Sequence, residues 1–142
     1  MTQLSHVVGR TDLPLIEKTI GQIFDDISEQ HASVTALVSC HQNIRLTYRQ
    51  LRNRVDALAV GLLRLGIQVG DRVGIWAPNR EEWVLTQFAT AKIGAILVNE
   101  NPAFRVTEVE YAINKVEMRS IIIASTFKSS DCGHDRRSPR KG

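Results

Sequence analysis

Between Thr47 and Ala124 the hydrophobic period switches between helix and strand five times, and this alternation limits the fold more than any other feature. Leu51, Val55, Leu58, Leu62 and Leu65 follow at steps of four, three, four and three, which places all five on one helical face. Thr47 and Gln50 have the spacing of a capping box, in which each side chain satisfies a backbone N–H that the helix start leaves unpaired. Gly66 stands where a left-handed residue ends the helix. Val73 to Ala77 is then a short apolar run closed by Pro78, the pattern of a buried strand.

The pattern repeats. Asn79 and Glu82 predict a second capping box, Trp83, Val84, Phe88 and Ala91 line the next helix, and Gly94 ends it. Ala95 to Val98 reads as a second buried strand, closed by Asn99 and Pro102. Thr107 and Glu110 predict a third box, for a short helix that buries Val109, Ala112, Ile113 and Val116. Ser120 to Ala124, with three consecutive isoleucines, is the third strand. Strand, helix, strand, helix, strand is an α/β unit: right-handed crossovers build a parallel sheet with helices on its faces.

A helix and a small hairpin precede this βαβαβ unit. Thr19 and Gln22 form another capping pair, and Ile20, Ile23, Phe24 and Ile27 make an apolar stripe to about Gln30. Ala36 to Ser39 and Ile44 to Leu46 pair across His41-Gln42-Asn43. The chain therefore divides into an extended lead-in over 1–18, where Pro14 bars a helix, an α/β part over 19–130, and a tail over 131–142. Thr126 to Ser130 reads as a polar turn, and the tail has no aliphatic or aromatic side chain to bury, so it reads as disordered.

Charge and composition exclude several classes. The net charge is +3, but the tail alone carries +2 of it, so the folded part lacks the basic face of a specific nucleic-acid module. No apolar run is long enough to span a bilayer. Met1 to His6 resembles neither a signal peptide nor a transit peptide, which predicts a cytoplasmic location. Cys40 and Cys132 are then expected as free thiols.

The residues that could carry chemistry have simpler explanations. Phosphate in such folds sits on backbone N–H groups at a strand-to-helix turn. The turns Ala77 to Glu82 and Asn99 to Arg105 contain no glycine, and Glu81 and Glu82 suit the helix dipole rather than an anion. Gly66, Gly70 and Gly74 lie between a helix and the next strand, the reverse of the dinucleotide order. Cys132-Gly133-His134 lacks further metal ligands nearby. Cys40 and His41, as neighbours on a strand, point to opposite faces, and Cys40 is expected half-buried at the hairpin end. Asp25-Asp26, Glu81-Glu82 and Glu108 with Glu110 fall in first turns or on exposed faces. Trp76 and Trp83 read as aromatics of the core or its edge. The residues themselves show no catalytic, cofactor-binding or metal site.

Several words of the chain nevertheless resemble a family. Leu46-Thr47-Tyr48-Arg49-Gln50-Leu51, Gly61 to Ile67 and Gly70-Asp71-Arg72-Val73-Gly74-Ile75-Trp76-Ala77-Pro78-Asn79 resemble the opening of AMP-forming acyl-CoA synthetases. Trp83, Phe88 to Asn99 and Asn101-Pro102-Ala103-Phe104-Arg105 continue the likeness, and Ser5 to Gly9 with Pro14 to Gly21 resembles its medium-chain fatty acid branch. The resemblance implies a reaction in which ATP activates a carboxylate to an acyl-adenylate, which then passes to CoA, with ATP, Mg and CoA as the parent's cofactors. The family's Ser/Thr/Gly-rich loop with Pro-Lys-Gly, its acidic adenine motif and its catalytic lysine have no matching positions here. The resemblance thus implies a fragment without cofactors of its own, inactive alone. The alternative is an interaction fragment that docks with a separately encoded remainder of the enzyme. Two departures stand out: the abrupt change after Ser130 or Asp131, expected to mark a reading-frame disruption, and Glu100 between two asparagines, where relatives carry a small or apolar residue.

Overall fold

The structure, a computed structural model, describes residues 8–9, 12, 14–127 and 130–131. Helix α1 (Ile20–Gln30) leads into strands β1 (Thr35–Ser39) and β2 (Ile44–Thr47), which pair antiparallel around a single 3-10 turn at Cys40–Gln42. Then follow α2 (Tyr48–Arg64), β3 (Arg72–Trp76), α3 (Glu81–Ile93), β4 (Ile96–Glu100), α4 (Val106–Lys115) and β5 (Ser120–Ile123). The expected parallel sheet forms, in the order β4-β3-β5, with Val73 opposite Leu97 and Ile75 opposite Ile122.

The chain leaves the central strand for one edge and then crosses back to the other. Two crossovers of the usual right hand therefore put α3 and α4 on opposite faces. Helices α1 and α2 join α3, and together they bury Phe24, Leu51, Val55, Leu62 and Ala89 against Val73. Phe24 stacks on Phe88 with ring centroids 4.1 Å apart, and Gly21 lets α1 approach closely, since a Cβ there would lie 3.1 Å from the Lys92 backbone. On the opposite face Gly74 leaves room for Met118 and Ile121.

The boxes at Thr19/Gln22 and Thr47/Gln50 form as their spacing predicts, each with both reciprocal hydrogen bonds. The other two do not. Helix α3 begins at Glu81 with Arg80 as its cap residue and no capping side chain of its own, so Asn79 and Glu82 make no box. Helix α4 begins at Val106, and there the Glu108 carboxylate accepts from the Arg105 N–H at 2.8 Å in place of a Thr107/Glu110 pair. Leu65 also departs from its stripe. It sits beyond the last turn of α2, 74% exposed, while Ala59 and, past the left-handed Gly66, Ile67 fill the core instead.

The strands read as buried are less so at the sheet's edges. Ile96 on β4 and Ile123 on β5 are about half exposed, because among the described residues each of these strands is paired on one side only. Thr126–Phe127 and Ser130–Asp131, within or beside the predicted polar turn, pair antiparallel as β6 and β7. Residues 132–142 of the tail, with Cys132 and His134, lie outside the described residues, as do 1–7, 10, 11 and 13 of the lead-in.

Candidate functional site

In an open α/β sheet ligands collect at the carboxyl ends of strands where the order reverses. Here that point lies between β3 and β5, at Ala77-Pro78 and Ala124-Ser125. Ala77 and Ala124 are both buried and small, joined across the gap by the Ala124 N–H, which donates to the Trp76 carbonyl at 3.1 Å. The two indoles brace this end. Trp76 Nε1–H donates to the Asn101 carbonyl at 3.1 Å, and Trp83 Nε1–H to the Ala77 carbonyl at 2.9 Å. Both tryptophans are thus edge-of-core residues whose donors are already used.

The first turn of α3 borders the same end, and its cap comes from far away in sequence. The Gln42 carboxamide oxygen accepts from the Glu81 N–H at 2.7 Å, while its nitrogen donates to the Glu82 carboxylate at 3.0 Å. The Ser39 hydroxyl, within the hairpin, donates to the same Gln42 oxygen at 2.8 Å. Glu81 lies in the first turn of α3 as expected, but Arg54 of α2 pairs with it and it is only 4% exposed, so this carboxylate is buried. The Arg80 guanidinium bonds Glu82, and this bond, aided by the helix backbone and Gln42 and opposed by burial, pulls the Glu82 carboxyl down to about 2. Its contribution to stability is therefore complete above the ordinary value of 4.5 and disappears as pH falls through about 2.

A phosphate placed at this turn would meet two carboxylates, one of them buried. The turn is a brace between hairpin, α2 and α3. Gln42→Ala is expected to cost about 1 kcal/mol, the value of a lost helix cap. It should also speed amide hydrogen exchange at Glu81, measured together with a urea midpoint.

Comparison with known proteins decides the family. The AMP-binding enzyme family matches residues 24–141. The chain belongs to that family. The mitochondrial medium-chain acyl-CoA ligase ACSF2 of Rattus norvegicus is 44% identical over 126 residues, which are 89% of this chain and 20% of the ligase. The ligase of that name from Danio rerio is 42% identical over 88% of this chain and 21% of its own length. Among solved structures, the inhibitor-bound N-terminal domain of FACL13 from Mycobacterium tuberculosis superposes with a TM-score of 0.72 at 28% identity, over 75% of this chain and 27% of that one. The N-terminal subdomain of NpsA from Klebsiella oxytoca, in complex with anthranilyl-AMSN, gives 0.70 at 28% identity, over 76% and 28%. The chain thus spans about a fifth of the length of the curated relatives it matches.

The residues singled out in the sequence do not converge in the fold. Cys40 is exposed, not half-buried, and lies in the 3-10 turn, where the His41 ring contacts Ser39 rather than the thiol. Asp26 pairs with Lys18 on the surface. Asp25 instead faces Lys92 and Arg52 between helices. Glu108 caps α4, and Glu110 is exposed. No group of three or more His, Cys, Asp or Glu suited to a metal occurs among the described residues. Two features escaped the reading of the sequence: Gln42, whose partners are 39 and 40 residues away, and Lys92, whose carboxylates lie on two other helices.

Glu100, the departure noted between the two asparagines, proves to be buried. It ends β4 beside Trp76, 5% exposed, and burial alone pushes its carboxyl above the ordinary 4.5. Because the fold favours the protonated acid, ionisation at neutral pH weakens it. Glu100→Gln is expected to raise stability by about 1 kcal/mol at neutral pH. That gain should vanish as pH falls toward 4.5, a trend that urea melts across pH would read directly.

Proposed function

We propose that this chain is the N-terminal scaffold portion of an ATP-dependent fatty acid–CoA ligase and does not adenylate a carboxylate by itself. The whole ligase would join a medium-chain carboxylate to ATP, release pyrophosphate, and pass the acyl group from the adenylate to the CoA thiol. ATP, Mg and CoA are then cofactors of that whole enzyme, and none is assigned to a residue of this chain. The observation that carries the reading is the 44% identity to a medium-chain acyl-CoA ligase over 89% of the chain. The carboxylates at the first turn of α3 support its second half, since they leave no phosphate cradle at the sheet's switch point. ATP–pyrophosphate exchange with octanoate tests it: the purified chain should give none above buffer. Octanoate-dependent exchange that an active-site inhibitor abolishes overturns it.

The edges of the sheet favour a second role for the same scaffold. With Ile96 and Ile123 half exposed and each edge strand paired once among the described residues, the chain would dock a remainder of the ligase supplied separately. Co-expression with that remainder should restore CoA ligation, and failure to co-purify removes the idea. No helix among the described residues is long and apolar enough to cross a membrane. We infer that the chain resides in the cytoplasm. Fractionation of the tagged chain tests it against the mitochondrial address in the rat ligase's name.

A further inference from the structure

Three helices pack over one face of the sheet, and among the described residues α4 alone covers the other. It is ten residues long, about 15 Å, and Val109 is its one buried residue. Beside it lies a mostly apolar groove of about 460 Å³, lined by Phe104, Glu108, Tyr111, Ala112, Lys115 and Val116. Positions 104, 108, 111 and 115 recur at steps of four, three and four, so they form one stripe along the helix and its entry. Tyr111, in the middle of the stripe, is 65% exposed, and the Lys115 ammonium lies 5.4 Å from the centre of its ring. Neither charge on the stripe is neutralised. Lys115 has no carboxylate partner among the described residues, and Glu108 spends one oxygen on the Arg105 N–H and holds no cation.

We propose that this flank of α4 docks a second copy of the same chain, the two α4 helices lying antiparallel about a twofold axis between Tyr111 and Ala112. Glu108 and Lys115 are seven residues apart, two helical turns, and stand on either side of that axis. The twofold brings Glu108 to Lys115 of the partner subunit, and symmetry makes the same contact a second time. A parallel pairing would set like charges against each other instead. At the axis each Tyr111 ring falls over the small Ala112 of the partner subunit, so the stripe is complementary to itself in bulk as well as in charge. The antiparallel order also opposes the two helix dipoles. One short helix face is less than a stable dimer needs, so the association is weak, with a Kd on the order of 10⁻⁴ M. The surface lies apart from the free strand edges and does not depend on the ligase reading.

Sedimentation equilibrium of the full chain tests this, at concentrations that span the expected Kd. A monomer–dimer equilibrium is expected for the natural chain. Lys115→Glu should weaken it roughly tenfold, because symmetry sets the like-charge contact twice. Glu108→Gln, which keeps an acceptor for the Arg105 N–H, should weaken it about threefold. Glu108→Lys should also weaken self-association, yet mixing that chain with Lys115→Glu should restore dimers nearly as tight as the natural ones. Only the antiparallel register brings the two reversed charges together. Circular dichroism checks that each variant keeps the helix content of the natural chain, and where Glu108→Lys does not, Glu108→Gln carries the test. A monomer at every concentration overturns the proposal. So does a dimer that Lys115→Glu and Glu108→Gln leave unchanged, since it forms on another surface such as the strand edges. Folded charge-reversed chains that associate no better mixed than alone overturn it as well.

Discussion

Cutting Ile75 back to alanine should cost this fold about 3 kcal/mol, within the usual range for truncating a buried isoleucine. Ile75 is fully buried at the centre of β3, between Asn99 on one neighbouring strand and Ile122 on the other. It forms a buried cluster with Ala77 and Ala124, against which Leu97, Trp83 and Ile122 pack. The small alanines around it cannot close the space, and the sheet's hydrogen bonds hold the strands apart, so most of the cavity persists. A urea titration should show the midpoint fall with little change in slope, and Ile75→Val should lose only about 1 kcal/mol. If the alanine variant loses less than the valine figure, α3 has settled onto the sheet and the packing is looser than described.

Lys92→Met is the second large change, expected at about 2 kcal/mol. The Lys92 ammonium reaches Asp25 at 2.7 Å and also Asp56, which joins α3 to both α1 and α2, and it lies 5.8 Å from the centre of the Phe24 ring. Its side chain is 15% exposed, whereas the two carboxylates are 33% and 46% exposed. Removing the partner of a fully buried charge costs about 3–5 kcal/mol, and an exposed pair contributes about 0–1. Water reaches these carboxylates in part and Arg52 still holds Asp25, so the effect falls between the two. The pH dependence separates this from lost packing. Burial pushes Lys92 down, but the hydrogen bonds it donates to Asp25 and Asp56 and the charges of those carboxylates outweigh it, so its value in the fold lies above 10.5. The stabilisation is therefore complete below 10.5 and is lost as pH climbs through the folded value. The natural chain should lose stability through that alkaline window, and Lys92→Met should lose less.

Where an element's determinants were local, the residues announced it. Thr19 with Gln22 and Thr47 with Gln50 close their boxes within one turn, and the change from helical to strand spacing after Gly66 marks β3 within a residue. Where they were not local, spacing misled. Asn79 and Glu82 have the right separation, but Gln42 reaches the Glu81 N–H first and Arg80 takes the Glu82 carboxylate. A residue's period likewise could not tell Leu65, past the end of its helix, from Ala59, which faces the core.

The same division holds for the molecule as a whole. The amino-acid sequence by itself determined the α/β class, the order of its elements and, through its identity to acyl-CoA ligases, its family, because caps, periods and turns act between residues a few positions apart. Only the tertiary structure decided which carboxylates are buried, which cation holds them and where an apolar groove opens beside α4. Glu81, Glu100 and Lys92 acquire their surroundings from helices and strands distant in the chain, and burial is a property of that assembly rather than of any local stretch.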